Sequence, residues 1–221
     1  MAESTENSET AIRILDAAIE LFAQQGYRRT TVRQIIDAAG VNLGSVNYHF
    51  GGKEKLYHAA LDRARQQSNE TNAIVQTDTA RDFHRDEPPQ RRLYLHVRTL
   101  LEHMFRDGQP TAMTRLMQQE LIAPTAALDR LVEQSVRRVQ AGLDEIVVSL
   151  SPRKLNKRRL RLTAISISGQ VHAYHLLLPL IQRVHPDQRF APKDLDQIAR
   201  HITRFSLAGI QSAADYDESW A

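Results

Sequence analysis

The stretch from Leu43 to Tyr48 brings together side chains that can contact a DNA major groove. A short helix here would carry Ser45, Asn47 and Tyr48 on its outer face, with Leu43 and Gly44 at its start. A carboxamide such as that of Asn47 can pair with N6 and N7 of adenine, and a leucine can touch a thymine methyl group. These residue types therefore indicate recognition of a base sequence.

The histidines indicate a second kind of chemistry, metal binding. His172 and His175 are three residues apart and His96 and His103 are seven apart, so each pair would share a helix face, and Glu120 could add a carboxylate. No HExxH motif is present, and such spacings recur by chance in a chain with 9 histidines. The sequence therefore predicts no metal site and no cofactor, and a helical metalloenzyme with a histidine and carboxylate site is the alternative.

The composition excludes several classes of protein. The chain has 221 residues, of which 42% are hydrophobic and 25% charged, enough for a real core in one domain or two small ones. It contains no cysteine, which excludes disulfides, cysteine-ligated metals and a thiol nucleophile. No signal-peptide pattern is present, and no apolar run approaches the roughly 20 residues of a membrane span. We therefore expect a cytoplasmic protein. We also expect that it is not an enzyme, because no nucleophile or acid–base pair is evident.

Helical periodicity covers nearly the whole chain, and its first part predicts a helix-turn-helix. A helix over 10–25 should end at Gly26, and a second over 31–39 begins with capping-box spacing between Thr31 and Gln34. Gly40 permits a sharp turn, after which Asn42 is predicted to cap a short helix over 43–49. Apolar residues should brace the two helices: Ile35, Ile36, Ala39, Val41 and Val46.

The remaining pattern predicts an all-α protein of nine helices. A fourth helix should run from Lys53 to about residue 76, followed by a polar linker over 77–89. Five longer helices are predicted over 90–106, 110–122, 125–150, 152–184 and 193–214, the fourth of them capped by Ser151 with Pro152 at its first position. We divide the chain into a helix-turn-helix domain (10–56), a connecting helix and linker (57–89) and a C-terminal domain (90–215).

The first part of the chain closely resembles the DNA-binding domain of the TetR family. The match runs from Ala11 to Leu61 without a gap. It is carried by Gly-Tyr-x-x-Thr-Thr from Gly26, Ala-Gly-Val from Ala39 and His-Phe-x-x-Lys-Glu-x-Leu from His49. Asn-Tyr-His-Phe followed by two glycines is most similar to the CecR-like subgroup, as is the later stretch Glu-Leu-Ile-Ala-Pro-Thr.

The resemblance implies DNA contacts residue by residue. Thr31 would hold a phosphate at a helix N-terminus, and Lys53 would clamp another. His49 would either contact phosphate or pack internally. Position 47 is often tyrosine in the wider family, so the base preference cannot be carried over. The predicted contacting set is Thr31, Arg33, Leu43, Gly44, Ser45, Asn47, Tyr48, His49 and Lys53.

The resemblance also implies that the C-terminal domain binds a small-molecule inducer and forms a homodimer. A permissive pocket could be lined by His96, Leu100, His103, Met104, Met113, Met117 and Tyr174, although an ordinary helical core explains each of them as well. The dimer interface would use two helical stripes, formed by Leu162, Ile165, Gly169, Ala173, Ile198, Ile202 and Phe205.

Six cations lie between Arg153 and Arg161, although the net charge of the chain is only +3. They form either a second anion-binding patch or a solvated first turn of a long helix, and we favour the second interpretation. Taken together, the sequence predicts a homodimeric one-component transcriptional regulator. We expect a repressor that an inducer releases from a pseudo-palindromic DNA operator. A DNA-binding architectural protein without a ligand is a further alternative.

Overall fold

The computed structural model describes residues 2–70 and 86–215, and these residues are helical almost throughout. A small antiparallel pair, β1 (Phe105–Arg106) and β2 (Gln109–Pro110), separates the fifth helix from the sixth. The predicted all-α class is confirmed. The helices are α1 (Ala2–Arg29), α2 (Val32–Ala39), α3 (Ser45–Phe50), α4 (Lys53–Glu70), α5 (Pro89–Met104), α6 (Ala112–Ile122), α7 (Ala126–Leu131), α8 (Arg137–Leu150), α9 (Lys157–Leu176), α10 (Leu178–Val184) and α11 (Pro192–Asp215).

Eleven α-helices in the described ranges correspond to the nine predicted, because two predicted helices are interrupted. The helix predicted over 125–150 contains a π-helical turn (Val132–Val136) between α7 and α8. The helix predicted over 152–184 is broken at Leu177 into α9 and α10. The predicted linker over 77–89 and the end of the fourth predicted helix lie largely outside the described residues.

The predicted start of α9 at Pro152 is wrong. Ser151 has an extended backbone, as residues before proline prefer, and the helix begins only at Lys157. Asn156 caps it, because its side-chain oxygen accepts a hydrogen bond from the Arg159 backbone N–H at 2.9 Å. The basic run therefore spans an exposed loop and the first turns of α9.

The chain forms two compact units whose boundaries differ from the predicted domains. The first combines α1 to α4 with residues 111–130, so that α6 belongs with the N-terminal helices and not with the predicted C-terminal domain. Its core consists of fully or nearly fully buried residues from these helices: Ile14, Ala18, Phe22, Ile35, Val46, Leu56, Tyr57, Ala60 and Leu116.

The second unit is built from α5, the hairpin and α8 to α11. Tyr94 on α5 donates a hydrogen bond to Asp196 on α11, and Arg200 also binds this carboxylate at 2.8 Å. Rings of Phe105 and Phe190 stack with centroids 4.6 Å apart. The core consists of aliphatic residues from four helices: Leu93, Val97, Leu101, Leu143, Val147, Ile167, Val171, Ile198, Ala199 and Ile202.

Taken singly, none of the described helices has the length and apolar character needed to cross a bilayer. Among the described helices, the pair α9 and α10 meets both criteria when taken together, and this pair is bent by 70° at its break.

Candidate DNA-binding surface

The start of α2 is fixed by a reciprocal cap. Thr31 Oγ1 accepts a hydrogen bond from the Gln34 backbone N–H at 3.2 Å, and the Gln34 side chain accepts one from the Thr31 N–H at 2.7 Å. This confirms the predicted capping box. Just before it, the buried Thr30 hydroxyl donates to the Gly26 carbonyl at 2.9 Å, which ties the turn to the end of α1. Thr31 and Arg33 are thus held exposed on the first turn of α2.

The turn between α2 and α3 depends on Gly40, whose φ of 63° lies in the left-handed region. The predicted cap by Asn42 is wrong: α3 begins at Ser45 after Gly44, and no side chain caps it. Asn42 instead contributes its carbonyl oxygen, which accepts a hydrogen bond from the Ser45 N–H at 3.0 Å. The turn therefore leaves Leu43, which is 69% exposed, on the same surface.

Helix α3 presents one polar face and buries the other. Val46 is completely buried against the first unit's core, which fixes the rotation of the helix about its axis. Asn47 and Tyr48 are exposed, the latter by 76%, while Ser45 and His49 are half-buried. A short helix held on its apolar side with a carboxamide and a phenol facing outward has the geometry needed to enter a major groove.

Two glycines end α3 and place the start of α4 nearby. Gly51 and Gly52 have φ values of 71° and 123°, which L-residues rarely adopt. The His49 ring packs edge-on to Tyr48 with centroids 5.0 Å apart. Both predicted roles of His49, phosphate contact and internal packing, are compatible with this position. Lys53 opens α4 and is half-buried, and this burial lowers the pKa of its ammonium below the usual value.

An aromatic cluster that sequence reasoning missed supports Lys53. Its Nζ lies 4.3 Å from the centroid of the Tyr27 ring, an arrangement that attracts a cation. The Tyr27 ring is 4.9 Å from that of Tyr57, and Tyr57 is 4.8 Å from Phe22. The sequence signal that could have revealed an aromatic ring near Lys53 was the spacing of Tyr57, which follows Lys53 by one helical turn.

All nine predicted DNA-contacting residues lie in the first unit. Six of them are exposed and three are half-buried, and none is part of the core. The exposed residues are Thr31, Arg33, Leu43, Gly44, Asn47 and Tyr48; the half-buried ones are Ser45, His49 and Lys53. Their roles in DNA binding remain predictions.

The predicted pocket residues are divided between the units. Met113 and Met117 lie on α6 in the first unit, and the other five lie in the second. Met104 is a core residue, while Leu100 and Tyr174 are half-buried at the edge of that core. Burial lowers the pKa of His96 to about 4, and its Nε2 atom is buried without a hydrogen-bond partner among the described residues.

The two histidines of α9 form a pair. Nδ1 of His172 and Nε2 of His175 are 3.1 Å apart, and burial and the neighbouring ring lower the pKa of His175 to about 4. Residues 2–70 and 86–215 contain no group of three or more histidine, aspartate or glutamate side chains placed to hold a metal ion.

The predicted dimer residues fall into two groups. Leu162 and Ile165 on α9 are 53% and 56% exposed, Phe205 on α11 is 64% exposed, and Gly169 on α9 is also exposed. Ala173 is half-buried. Ile198 and Ile202 on α11 are only 7% and 1% exposed and belong to the second unit's core. This corrects their assignment to the dimer interface.

The chain matches two family models. Residues 14–60 match the model of bacterial regulatory proteins of the tetR family. Residues 89–210, more than half of the chain, match the C-terminal domain of the HTH-type transcriptional dual regulator CecR. Together the two matches span both compact units and most of the described residues.

Individual relatives share modest sequence identity with this chain. The chain is 24% identical over 167 residues to the HTH-type transcriptional dual regulator CecR of Shigella flexneri, which covers 74% of each chain. It is 29% identical over 133 residues to the HTH-type transcriptional repressor AcnR of Corynebacterium diphtheriae, covering 59% of this chain and 68% of that one.

Solved structures share the fold. The transcriptional regulator FadR of Bacillus subtilis, in complex with stearoyl-CoA, superposes with a TM-score of 0.61 at 18% identity, covering 90% of this chain and 98% of that one. HlyIIR, a hemolysin II transcriptional regulator, gives 0.56 at 19% identity, covering 89% and 98%. With its helix-turn-helix surface and these matches, the chain belongs to the TetR family of DNA-binding transcriptional regulators, with a C-terminal domain of the CecR type.

Proposed function

We propose that this regulator is a repressor that leaves a pseudo-palindromic operator when a small molecule binds its second unit. The observation that carries the proposal is the exposed polar face of α3, with Asn47 and Tyr48 outward and Val46 buried. AcnR, a relative over the shared region, is a repressor by name. Family membership leaves the metalloenzyme alternative without support, and we place the regulator's action in the cytoplasm, where DNA is accessible.

Two copies of the chain are needed to read two half-sites. Large apolar side chains that are exposed on α9, α10 and α11 support a homodimer, because exposed apolar surface is a feature of protein–protein interfaces. The supporting residues are Leu162, Ile165, Leu176, Leu180, Val184 and Phe205. Sedimentation velocity tests this: wild type should sediment as a dimer, and the double substitution Leu162→Glu with Ile165→Glu as a monomer. A wild-type monomer at micromolar concentration would contradict the proposal.

An inducer site in the second unit is supported by His96. Its buried Nε2 has no partner among the described residues, and an unmatched buried polar atom is costly unless a ligand or water satisfies it. FadR of Bacillus subtilis, which shares the fold, was solved with stearoyl-CoA, so long apolar ligands are the first to test here. Induction requires that the ligand binds the DNA-incompetent state more tightly, by a few kcal/mol in total.

Fluorescence anisotropy of the purified protein tests DNA recognition directly. The probes are duplexes from upstream of its own gene, with a scrambled duplex of equal length as control, at near-physiological salt. Specific regulation predicts a preference of about a thousandfold or more. Long-chain acyl-CoA thioesters added to the complex should then lower the anisotropy. Equal weak binding to both duplexes, followed by failure to select any sequence from a randomised pool, would contradict the proposal.

A further inference from the structure

Glu120 on α6 is a buried carboxylate that plays no part in the surface described above. It is only 1% exposed. Its oxygens accept hydrogen bonds from the Tyr57 hydroxyl at 2.5 Å and from the backbone N–H and the hydroxyl of Thr125, both at 3.0 Å. No cation forms an ion pair with it among the described residues. Burying a carboxylate without a cation is costly, and these three donors offset that cost.

The hydrogen bond to Tyr57 connects this carboxylate to the start of α4. Tyr57 is 2% exposed, and its ring lies 4.9 Å from that of Tyr27. Tyr27 in turn lies beneath the ammonium of Lys53, 4.3 Å from Nζ to the ring centroid. A continuous set of contacts therefore runs from Glu120 through two aromatic rings to Lys53, and all four residues belong to the first unit.

The neighbouring residue of α6 contacts the other side of the same cluster. The side-chain amide of Gln119 lies 3.5 Å from the Ala23 carbonyl, and its oxygen would be only 2.8 Å from a Cβ on Gly26. Gly26 directly precedes Tyr27. Helix α6 therefore packs against the backbone that carries Tyr27 and against the hydroxyl of Tyr57, so both rings are restrained from one helix.

We propose that Glu120 is a positioning residue for DNA binding, which holds the ammonium of Lys53 toward a DNA phosphate through Tyr57 and Tyr27. The proposal rests on the DNA-binding function, because Lys53 matters only when a phosphate is bound. A lysine side chain loses considerable rotamer entropy when it is ordered. Contacts that restrict it before binding reduce that loss and raise affinity for every DNA sequence alike.

The experiment combines Tyr57→Phe, which removes only the hydroxyl, with Lys53→Ala. Full-length proteins are titrated against a duplex that the wild type selects from a randomised pool, and against a scrambled duplex, at several salt concentrations. Tyr57→Phe should weaken binding to both duplexes by about threefold to tenfold. In the Lys53→Ala background the same change should have no further effect, because the positioned group is already gone. Glu120→Gln should weaken binding in the same direction.

Glu20→Gln is the matched control, since it breaks another contact of α6 to the N-terminal helices. Glu20 pairs with Arg115 at 3.0 Å on the exposed side, away from the aromatic cluster, so affinity should stay at the wild-type value. Melting temperatures are recorded for all variants. A lower melting temperature with unchanged affinity would overturn the proposal, as would an equal loss of affinity in both backgrounds. If the wild type selects no duplex, the DNA-binding function itself fails before any variant is compared.

Discussion

Asn47 is the residue on which base preference should depend. It is exposed on α3 and carries a carboxamide, whereas Lys53 offers only a charge. Asn47→Ala should therefore reduce discrimination between matched and mismatched operators by about 1–3 kcal/mol, while affinity for scrambled DNA stays nearly constant. Competition anisotropy with single-base variants of the selected duplex measures this. An unchanged ratio for every variant would show that Asn47 contacts no base.

Gly26 has a backbone conformation that a residue with a side chain adopts only with strain. Its φ of 77° and ψ of 165° belong to a region that is essentially restricted to glycine, and a Cβ would meet the Gln119 side chain at 2.8 Å. Gly26→Ala should lower the free energy of unfolding by about 1–3 kcal/mol. The matched control is Gly142→Ala, inside α8 with no atom within 4 Å of the added Cβ, which should be neutral or stabilising. Urea denaturation compares them, and an equal effect of both changes would refute the explanation.

At the scale of elements, local signals predicted the helices that carry the DNA surface. The Thr31–Gln34 cap and the left-handed Gly40 are specified within a few residues of sequence, and the structure has both. Gly26 interrupts the helical backbone as its position suggested, but its ψ of 165° is not left-handed and α1 continues beyond it to Arg29, so the predicted end of the first helix is wrong. The start of α9 was misplaced because Ser151-Pro152 is an equally good local signal for a helix start. In the structure Asn156 caps the helix instead, and Leu155 beside it packs on the second unit's core. That packing cannot be deduced from local sequence.

The first turn of α9 is electrostatically unfavourable. Lys157, Arg158 and Arg159 lie at its N-terminus, where the helix dipole favours negative charge, and no acid is present in that turn. Lys157→Glu and Arg158→Glu should each raise the free energy of unfolding by about 0.3–1 kcal/mol at low salt, and less at high salt. Arg161→Glu, one turn further along the helix, should raise the free energy of unfolding by less. If all three changes behave alike, the dipole is not the cause.

At the scale of the whole molecule, the division into two units differs from the domains predicted from sequence. Residues 111–130 join the N-terminal helices through contacts such as Tyr57 with Glu120, which are 63 residues apart in the chain. Periodicity and capping describe neighbours along a helix, so they give no information on such pairings. The same limit explains why Ile198 and Ile202 were assigned to the interface: their stripe on α11 is apolar, and only the tertiary packing reveals that the chain's own core covers it.

Buried histidines make the stability of the whole chain depend on pH. Burial lowers the pKa of both His96 and His175 to about 4, and it also lowers the pKa of His103 and His172. Between about pH 6.5 and pH 4 the unfolded chain therefore binds more protons than the folded one. The stabilisation is complete above pH 6.5 and is lost as the pH falls toward 4.

The free energy of unfolding should fall between pH 7 and pH 5, with about 1–2 kcal/mol of the loss due to each of His96 and His175. Urea denaturation at the two pH values measures it. His96→Leu should make the loss smaller, because the leucine has no proton to bind. His185→Gln is the control, since His185 is exposed beyond the end of α10 and its removal should leave the loss unchanged. A loss of the same size in wild type and His96→Leu would show that water or a bound molecule already satisfies the buried ring in both protonation states.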